Sequence, residues 1–288
     1  MKKLLLTLTV LFLILISCNK IDTTHEVFTL IGLVEETTWD PAYAETVIQK
    51  IYIEEFTGHF CQFCPNGARE LKAILGEDPA VIATAIHCSD QADPGNYPFD
   101  KNYKTQMGNQ LCKDFNISGL PKATINRLEI NPNEWGTGTN KWRGILAAID
   151  RNNVRAGIEL QCTTLEEQKE IVAQVSVTII KELPNPVHVC LILQQDSIIS
   201  GQLDGSTYIL DYEHNHMLRT GFNGNYGTKL TSNGMVTPHI KYSTTFKIAY
   251  GNAFPYSLLP VEISHCSVVA YLIDMVTKEV IQVEQFSF

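Results

Sequence analysis

Two cysteines three positions apart, Cys61 and Cys64, are the residues of this chain best placed by type and spacing to do chemistry. Thiols at that spacing close to a disulfide or share a metal, and the flanking segments decide which. Upstream, Ile51, Ile53 and Phe56 mark a strand, and Thr57-Gly58-His59 reads as a tight turn. Downstream, Ala68, Leu71, Ile74 and Leu75 recur at helical spacing. A C-x-x-C between strand and helix is a thioredoxin-like redox arrangement. The unpaired N–H groups and dipole of the helix start stabilise a thiolate on the leading cysteine. Cys61 is therefore the expected nucleophile, with Cys64 as the resolving thiol one turn inward.

Two further residues join this candidate site. Glu55 lies on the strand before Cys61, and a desolvated carboxyl there would act as general base for the inner thiol. Glu54 and Glu55 should face opposite ways along the strand, so at most one of them is expected to be buried. Downstream, Gly119-Leu120-Pro121 precedes a short strand, and the proline is expected to be cis and to shape a groove beside the dithiol.

The elements that must hold these residues follow from periodicity. The run 80–88 is apolar nearly throughout, as suits a strand buried on both faces. Residues 89–104 read as an inserted polar loop, 103–115 as a helix, and 142–149 as a helix covering the sheet. These place a first domain at 41–152. Beyond it the texture changes to short β-runs at 154–162, 171–180, 187–195, 244–250, 266–275 and 279–286, which predict an antiparallel sandwich over 153–288. The stretch 200–241, rich in Gly, Asn, His and Tyr, is long for a structureless loop, so it carries either a use or secondary structure of its own.

The N-terminus carries an address. Lys2 and Lys3 precede an apolar run, 4–16, that is too short to cross a bilayer core needing about 20 apolar residues. It reads as a leader over 1–17. Leu15-Ile16-Ser17-Cys18 resembles a lipobox in which Cys18 is acylated, palmitate being one such acyl group, and becomes the first mature residue. A plain signal peptide or an uncleaved anchor is the other reading. Residues 18–40 are then a tether, with a strand-like run at 27–34. The chain's net charge is −9. Losing Lys2 and Lys3 with the leader makes it more acidic still, which gives no electrostatic footprint for nucleic acid. The expected membrane contact is the lipid on Cys18. Export also places the remaining cysteines outside the reducing cytosol.

Three motifs together carry a family resemblance. They are Thr57-Gly58-His59 with Cys61, Cys64 and Pro65; Pro121 with Asn126-Arg127; and His214-Asn215-His216 with Leu218-Arg219. The chain resembles the 28-kDa outer-membrane protein family of Bacteroidetes lipoproteins over most of its mature length. The resemblance implies an α/β plus all-β chain at the outer membrane: a lipid-anchored thioredoxin-like domain followed by an antiparallel immunoglobulin-like β-sandwich. It does not settle an activity.

Cys88, Cys112, Cys162, Cys190 and Cys266 remain, an odd number. Cys190 and Cys266 read as small core residues in apolar strands, and Cys88 and Cys112 flank the inserted loop where they could bridge. Zinc on Cys61, Cys64, His87 and Cys88 matches no known module spacing. His214 and His216 suit a structural knot tied to the long loop better than a metal pair. No metal and no cofactor are expected. Two functions follow. One is thiol–disulfide exchange with a protein thiol or disulfide partner. The other is a surface binding or scaffold lipoprotein in which the C-x-x-C disulfide is static and the sandwich takes the ligand.

Overall fold

The computed structural model describes residues 28–30, 35–38, 41–250 and 259–288. The leader 1–17, Cys18 and the first part of the tether lie outside them. In chain order the elements are β1 (Phe28–Leu30), β2 (Glu35–Thr38), a single turn α1 (Pro41–Ala44), β3 (Ile51–Thr57), α2 (Cys64–Glu77), β4 (Val81–His87), α3 (Gln106–Asp114), β5 (Lys122–Ile125) and α4 (Thr139–Ala148). Then come β6 (Ala156–Leu165), β7 (Glu170–Ile179), β8 (Val187–Gln195), β9 (Ile198–Asp204), β10 (Thr207–His214), β11 (Met217–Gly221), β12 (Thr228–Lys229), β13 (Ile240–Ala249), β14 (Cys266–Asp274) and β15 (Val280–Ser287). The described chain is mostly β with some helices, in mixed and antiparallel sheets. Of the run 27–34, the described part is β1, which pairs antiparallel with β13.

A mixed eight-stranded sheet runs β15-β14-β8-β11-β4-β3-β5, with β12 also on β8. β3 is parallel to β4 and antiparallel to β5. The join is β11, antiparallel to β8 and touching β4 through one parallel pair, Met217 beside Ala85. The sheet therefore takes strands from both sides of residue 153. A five-stranded antiparallel sheet of β1, β2, β13, β7 and β6 and a hairpin, β9–β10, complete the strands.

Covered faces explain the sequence pattern. β3, β4 and β14 are buried along their whole length; β4 and β14 accordingly read as near-continuous apolar runs, whereas β3 carries Glu54 and Glu55 inside its apolar pattern. Alternate residues serve different cores. On one face, Tyr52, Phe56, Ile82, Ile86, Ile192 and Tyr271 enclose Met107, Leu111 and Phe115 from α3 and its C-terminal end. On the other face the first half meets α2 and α4 through Leu71, Ile74, Trp142 and Leu146. The second half meets β7 and β13 through Val175, Val177 and Phe246. The helices expected at 103–115 and 142–149 are α3 and α4. The long stretch 200–241 is structured, holding most of β9 together with β10, β11 and β12.

The expectation that at most one of Glu54 and Glu55 is buried fails. They do occupy opposite faces, but both faces are covered, and exposures are 1% and 2%. Glu54 is met by Arg127, which is fully buried: Nη2 lies 2.6 Å from Oε1 and Nε 2.8 Å from Oε2. Thr124 donates to the same carboxylate, and Arg127 also reaches the Tyr271 hydroxyl at 3.1 Å. The guanidinium stands over the Phe115 and Tyr271 rings at 5.0 and 5.1 Å. Asn126 and Arg127 both adopt positive φ, 47° and 50°, which turns the chain inward after β5. Asn126 secures that turn by accepting from the Tyr52 N–H with its side chain and from the Val280 N–H with its carbonyl.

Breaking this pair from one side strands a buried carboxylate. Arg127→Met is expected to lower stability by about 3–5 kcal/mol, whereas Glu54→Leu combined with Arg127→Met recovers most of the loss. Urea unfolding midpoints check this; single-variant costs that simply add in the double variant would refute the pairing as the cause.

Candidate functional site

The Cys61–Cys64 pair is a disulfide, with the two Cα atoms 5.3 Å apart. The helix starts at Cys64 rather than Cys61, with Phe63 at its N-cap and no side chain capping it. Cys61 sits in the preceding turn, its N–H donating to the Gly58 carbonyl and its carbonyl accepting from Cys64 N–H. Pro65 takes a first-turn position where a missing N–H costs nothing. Both cysteines are buried, while Phe63 stands 57% exposed beside them.

The two cysteines border different spaces. A groove of about 560 Å³ is bordered by Cys61, Phe60, Phe63, Ser89, Ile117 and Leu120. A second cavity of about 380 Å³ is bordered by Cys64, Glu55, Leu71, His87, Tyr212 and His214. Leu120–Pro121 is cis. Gly67 of α2 is the contact point among these parts. A Cβ there would come within 2.5 Å of Glu55 Oε1 and 3.0 Å of Pro121 Cβ, so only glycine lets the helix lie this close to both. The structure thus brings Cys61, Cys64, Glu55 and Pro121 into one neighbourhood, while Cys18 lies outside the described residues.

Glu55 differs sharply from its neighbour Glu54. Its Oε1 is buried without a hydrogen-bond partner, and burial raises its pKa from 4.5 to about 8. His87 has no partner on either ring nitrogen, and burial, then the nearby His214 and His59, hold it well below the usual imidazole range. His214 is pushed down to about 3, chiefly by burial. His59 is lowered for the same reason, although its Nε2 contacts the Asp93 carbonyl at 2.8 Å. Tyr103 packs edge-on against His59 and His87, and Tyr212 against His214.

A lid that sequence reasoning did not identify covers the dithiol turn. In β9 and the turn that follows, Leu203 N–H donates to the His59 carbonyl and Gly205 N–H to the Gln62 carbonyl, both at 2.9 Å. Gln202 Nε2 reaches the Gly58 and Cys61 carbonyls at 3.3 Å, and Asp204 pairs with Arg69 of α2 at 2.9 Å. The only hint was compositional, the aromatic and Gly-rich texture of 200–241. His214-Asn215-His216 forms the turn leaving the hairpin. Asn215 accepts from Ser197 N–H, the His216 ring meets Asp196 at 3.1 Å, and its carbonyl accepts from Ala85 N–H of β4. Among the described residues, no group of three or more His, Cys, Asp or Glu side chains is arranged to hold a metal ion.

The fold resembles that of a solved structure. HBP35 of Porphyromonas gingivalis superposes with a TM-score of 0.60 at 16% identity, over 84% of this chain and 76% of that one. At that identity the likeness speaks for the fold alone. A domain of the outer membrane lipoprotein Omp28 from Porphyromonas gingivalis aligns at 20% identity over 49% of this chain and 93% of that one, with a TM-score of 0.32. No curated protein matches the sequence. The profile of the outer membrane protein Omp28 family matches residues 108–288, so the chain belongs to that family and is an outer-membrane protein. The match takes in Pro121, Arg127 and His214 and begins downstream of Cys61, Cys64 and Glu55. No helix among the described residues is long and apolar enough to cross a membrane.

The buried acid and the buried bases give a definite pH profile. Folded Glu55 holds a proton between about pH 4.5 and 8 that the unfolded chain releases, so its contribution falls as pH rises through that window. The buried imidazoles refuse a proton that the unfolded chain accepts, so theirs falls as pH drops below 6.5. Three imidazoles outweigh one carboxyl where the windows overlap, and stability should peak near pH 6.5. In Glu55→Gln the decline between pH 6.5 and 8 disappears. Urea midpoints across pH 5 to 9 test this; a variant that declines in parallel with the wild type removes Glu55 as the cause.

Proposed function

We propose that the protein is a lipid-anchored thiol–disulfide exchange protein of the outer membrane, built on a thioredoxin-like unit at 41–152 with a β-sandwich at 153–288. The observation that carries the reading is the disulfide between two spaces, with Cys61 at an open groove of mixed polarity and Cys64 at the cavity holding an unpartnered, proton-binding Glu55. The parallel β3–β4 pair, antiparallel β5, α2 behind the dithiol and cis Pro121 support the thioredoxin-like assignment. The sequence at Cys18 supports acylation there, and family membership agrees with that address.

In the reducing direction, Cys61 thiolate attacks one sulfur of a substrate disulfide and the first substrate thiolate leaves. The start of α2 stabilises that nucleophile. Cys64 then passes its proton to ionised Glu55 and displaces the second thiolate from Cys61. The substrate gains two electrons and two protons, and the protein closes its own disulfide. A partner dithiol protein returns the electrons. The groove, where Phe63, Ile117 and Leu120 meet Gln62, Ser89 and Asp90, suits an extended polypeptide of mixed polarity next to a cystine.

The second reading is a static disulfide in a binding lipoprotein, and the hairpin across the dithiol turn favours it. The protein reduced and offered a model protein disulfide decides between them. Exchange predicts turnover, its loss in Cys61→Ser, and mixed disulfides that accumulate in Cys64→Ser. It also predicts a rate that climbs as pH passes about 8 and falls roughly 10²-fold in Glu55→Gln. A dithiol that neither equilibrates with glutathione nor reduces the substrate leaves the static reading standing.

A further inference from the structure

Among the described residues, a second pair of cysteine sulfurs lies in contact outside the C-x-x-C. Cys88 follows the end of β4, and Cys112 lies in the last turn of α3, yet their Sγ atoms are 2.8 Å apart. Cys88 is fully buried in the core beneath α3, and Cys112 is half-buried at its margin. The chain between them packs on the turn that leads into Cys61. Gln91 carbonyl accepts from Phe60 N–H at 2.9 Å, and the Phe99 and Phe60 rings lie 4.5 Å apart. Asp93 carbonyl meets His59, and Tyr103 packs edge-on against the same ring.

We infer that Cys88 and Cys112 are a second redox pair, closing to a disulfide that cinches residues 89–111 against the face of the Cys61 turn. Two thiols this close need only small χ adjustments to bond, and an outer-membrane protein works outside the reducing cytosol. Accessibility fixes the order of events. Cys112 is the sulfur that solvent can reach, and the hydrogen bond donated by Cys88 lowers its pKa, whereas Cys88 is held high. Cys112 thiolate attacks a disulfide oxidant, small-molecule or protein, and expels one thiolate. Cys88 then releases its proton, attacks Cys112 Sγ and expels the second thiolate. Two protein thiols are oxidised by two electrons, and the oxidant leaves as two thiols. This pairing is independent of whether the Cys61–Cys64 disulfide turns over.

Peptide mapping reads the outcome directly, because trypsin separates the sites into fragments 51–69, 73–101 and 105–113. Full-length protein is reduced, re-oxidised with oxidised glutathione, blocked with an alkylating agent and digested. The expected result is a linked 73–101/105–113 species alongside an internally closed 51–69. In Cys88→Ser, glutathione should remain on Cys112; in Cys112→Ser, Cys88 should carry none. With the pair closed, protease cleavage within 89–104 should slow by at least about tenfold, since the bridge restrains a loop of moderate length. Cys88 and Cys112 recovered fully alkylated while 51–69 is closed would overturn the proposal. So would a stable glutathione adduct on Cys112 in the wild type, or cleavage rates in 89–104 that ignore the oxidant.

Discussion

The rest of the structure depends on a guanidinium that has no contact with water. Arg127 comes from the end of β5, its carboxylate partner Glu54 from β3, and the hydroxyl and ring it also contacts, Tyr271, from β14. These three strands come from widely separated parts of the chain, and α3 adds Phe115 beneath the charge. Desolvating two ions is expensive, and their attraction repays it only where geometry is close and the remaining polar atoms are bonded. Placing β3, β5 and β14 together brings these groups into range, although Arg127 Nη1 is still left buried without a hydrogen-bond partner. Removing either partner strands the other as a buried ion, so the pair ties the placement of these strands to one another.

The neighbouring acid shows how the same burial serves a different end. Glu54 and Glu55 differ by one residue, hence by one face of the strand. One finds a cation and is held as a structural anion. The other borders a cavity with His87 and His214 and has no ion-pair partner of its own among the described residues, so burial shifts its proton affinity. The contrast rests on which core each face meets, and on Gly67, whose missing side chain leaves room for Glu55 against α2.

Much of this was legible in the residues. Short β-runs between turn signals located β6, β7, β8, β13, β14 and β15, and the strand–C-x-x-C–helix signal located the dithiol, because residue propensity and turn chemistry are local properties. What failed was tertiary. The rule that one of two adjacent acids must face solvent assumes a one-sided strand, yet β3 is covered on both faces. The single β11–β4 contact that fuses the sheet involves only Met217 and Ala85 and leaves no mark in composition. The start of α2 moved from Cys61 to Cys64 because Cys61 N–H is already used in the turn from Gly58.

The hairpin over the dithiol was invisible for a related reason. Its grip runs through main-chain groups, Leu203 to His59 and Gly205 to Gln62, and a backbone hydrogen bond asks nothing of residue type. Such bonds are worth about 1 kcal/mol each net, and the exposed Arg69–Asp204 pair adds less than about 1 kcal/mol. A two-stranded hairpin has little stability of its own beyond its contacts. Its buried residues add to that grip, with Ile198 in one cluster with Tyr103 and Met217 and His214 packed on His87 and Tyr103. Burial of Cys61 thus depends on the hairpin as well as on its own turn, and the environment of the thiol is set by a segment some 140 residues away in sequence as much as by the pair of residues between the two cysteines.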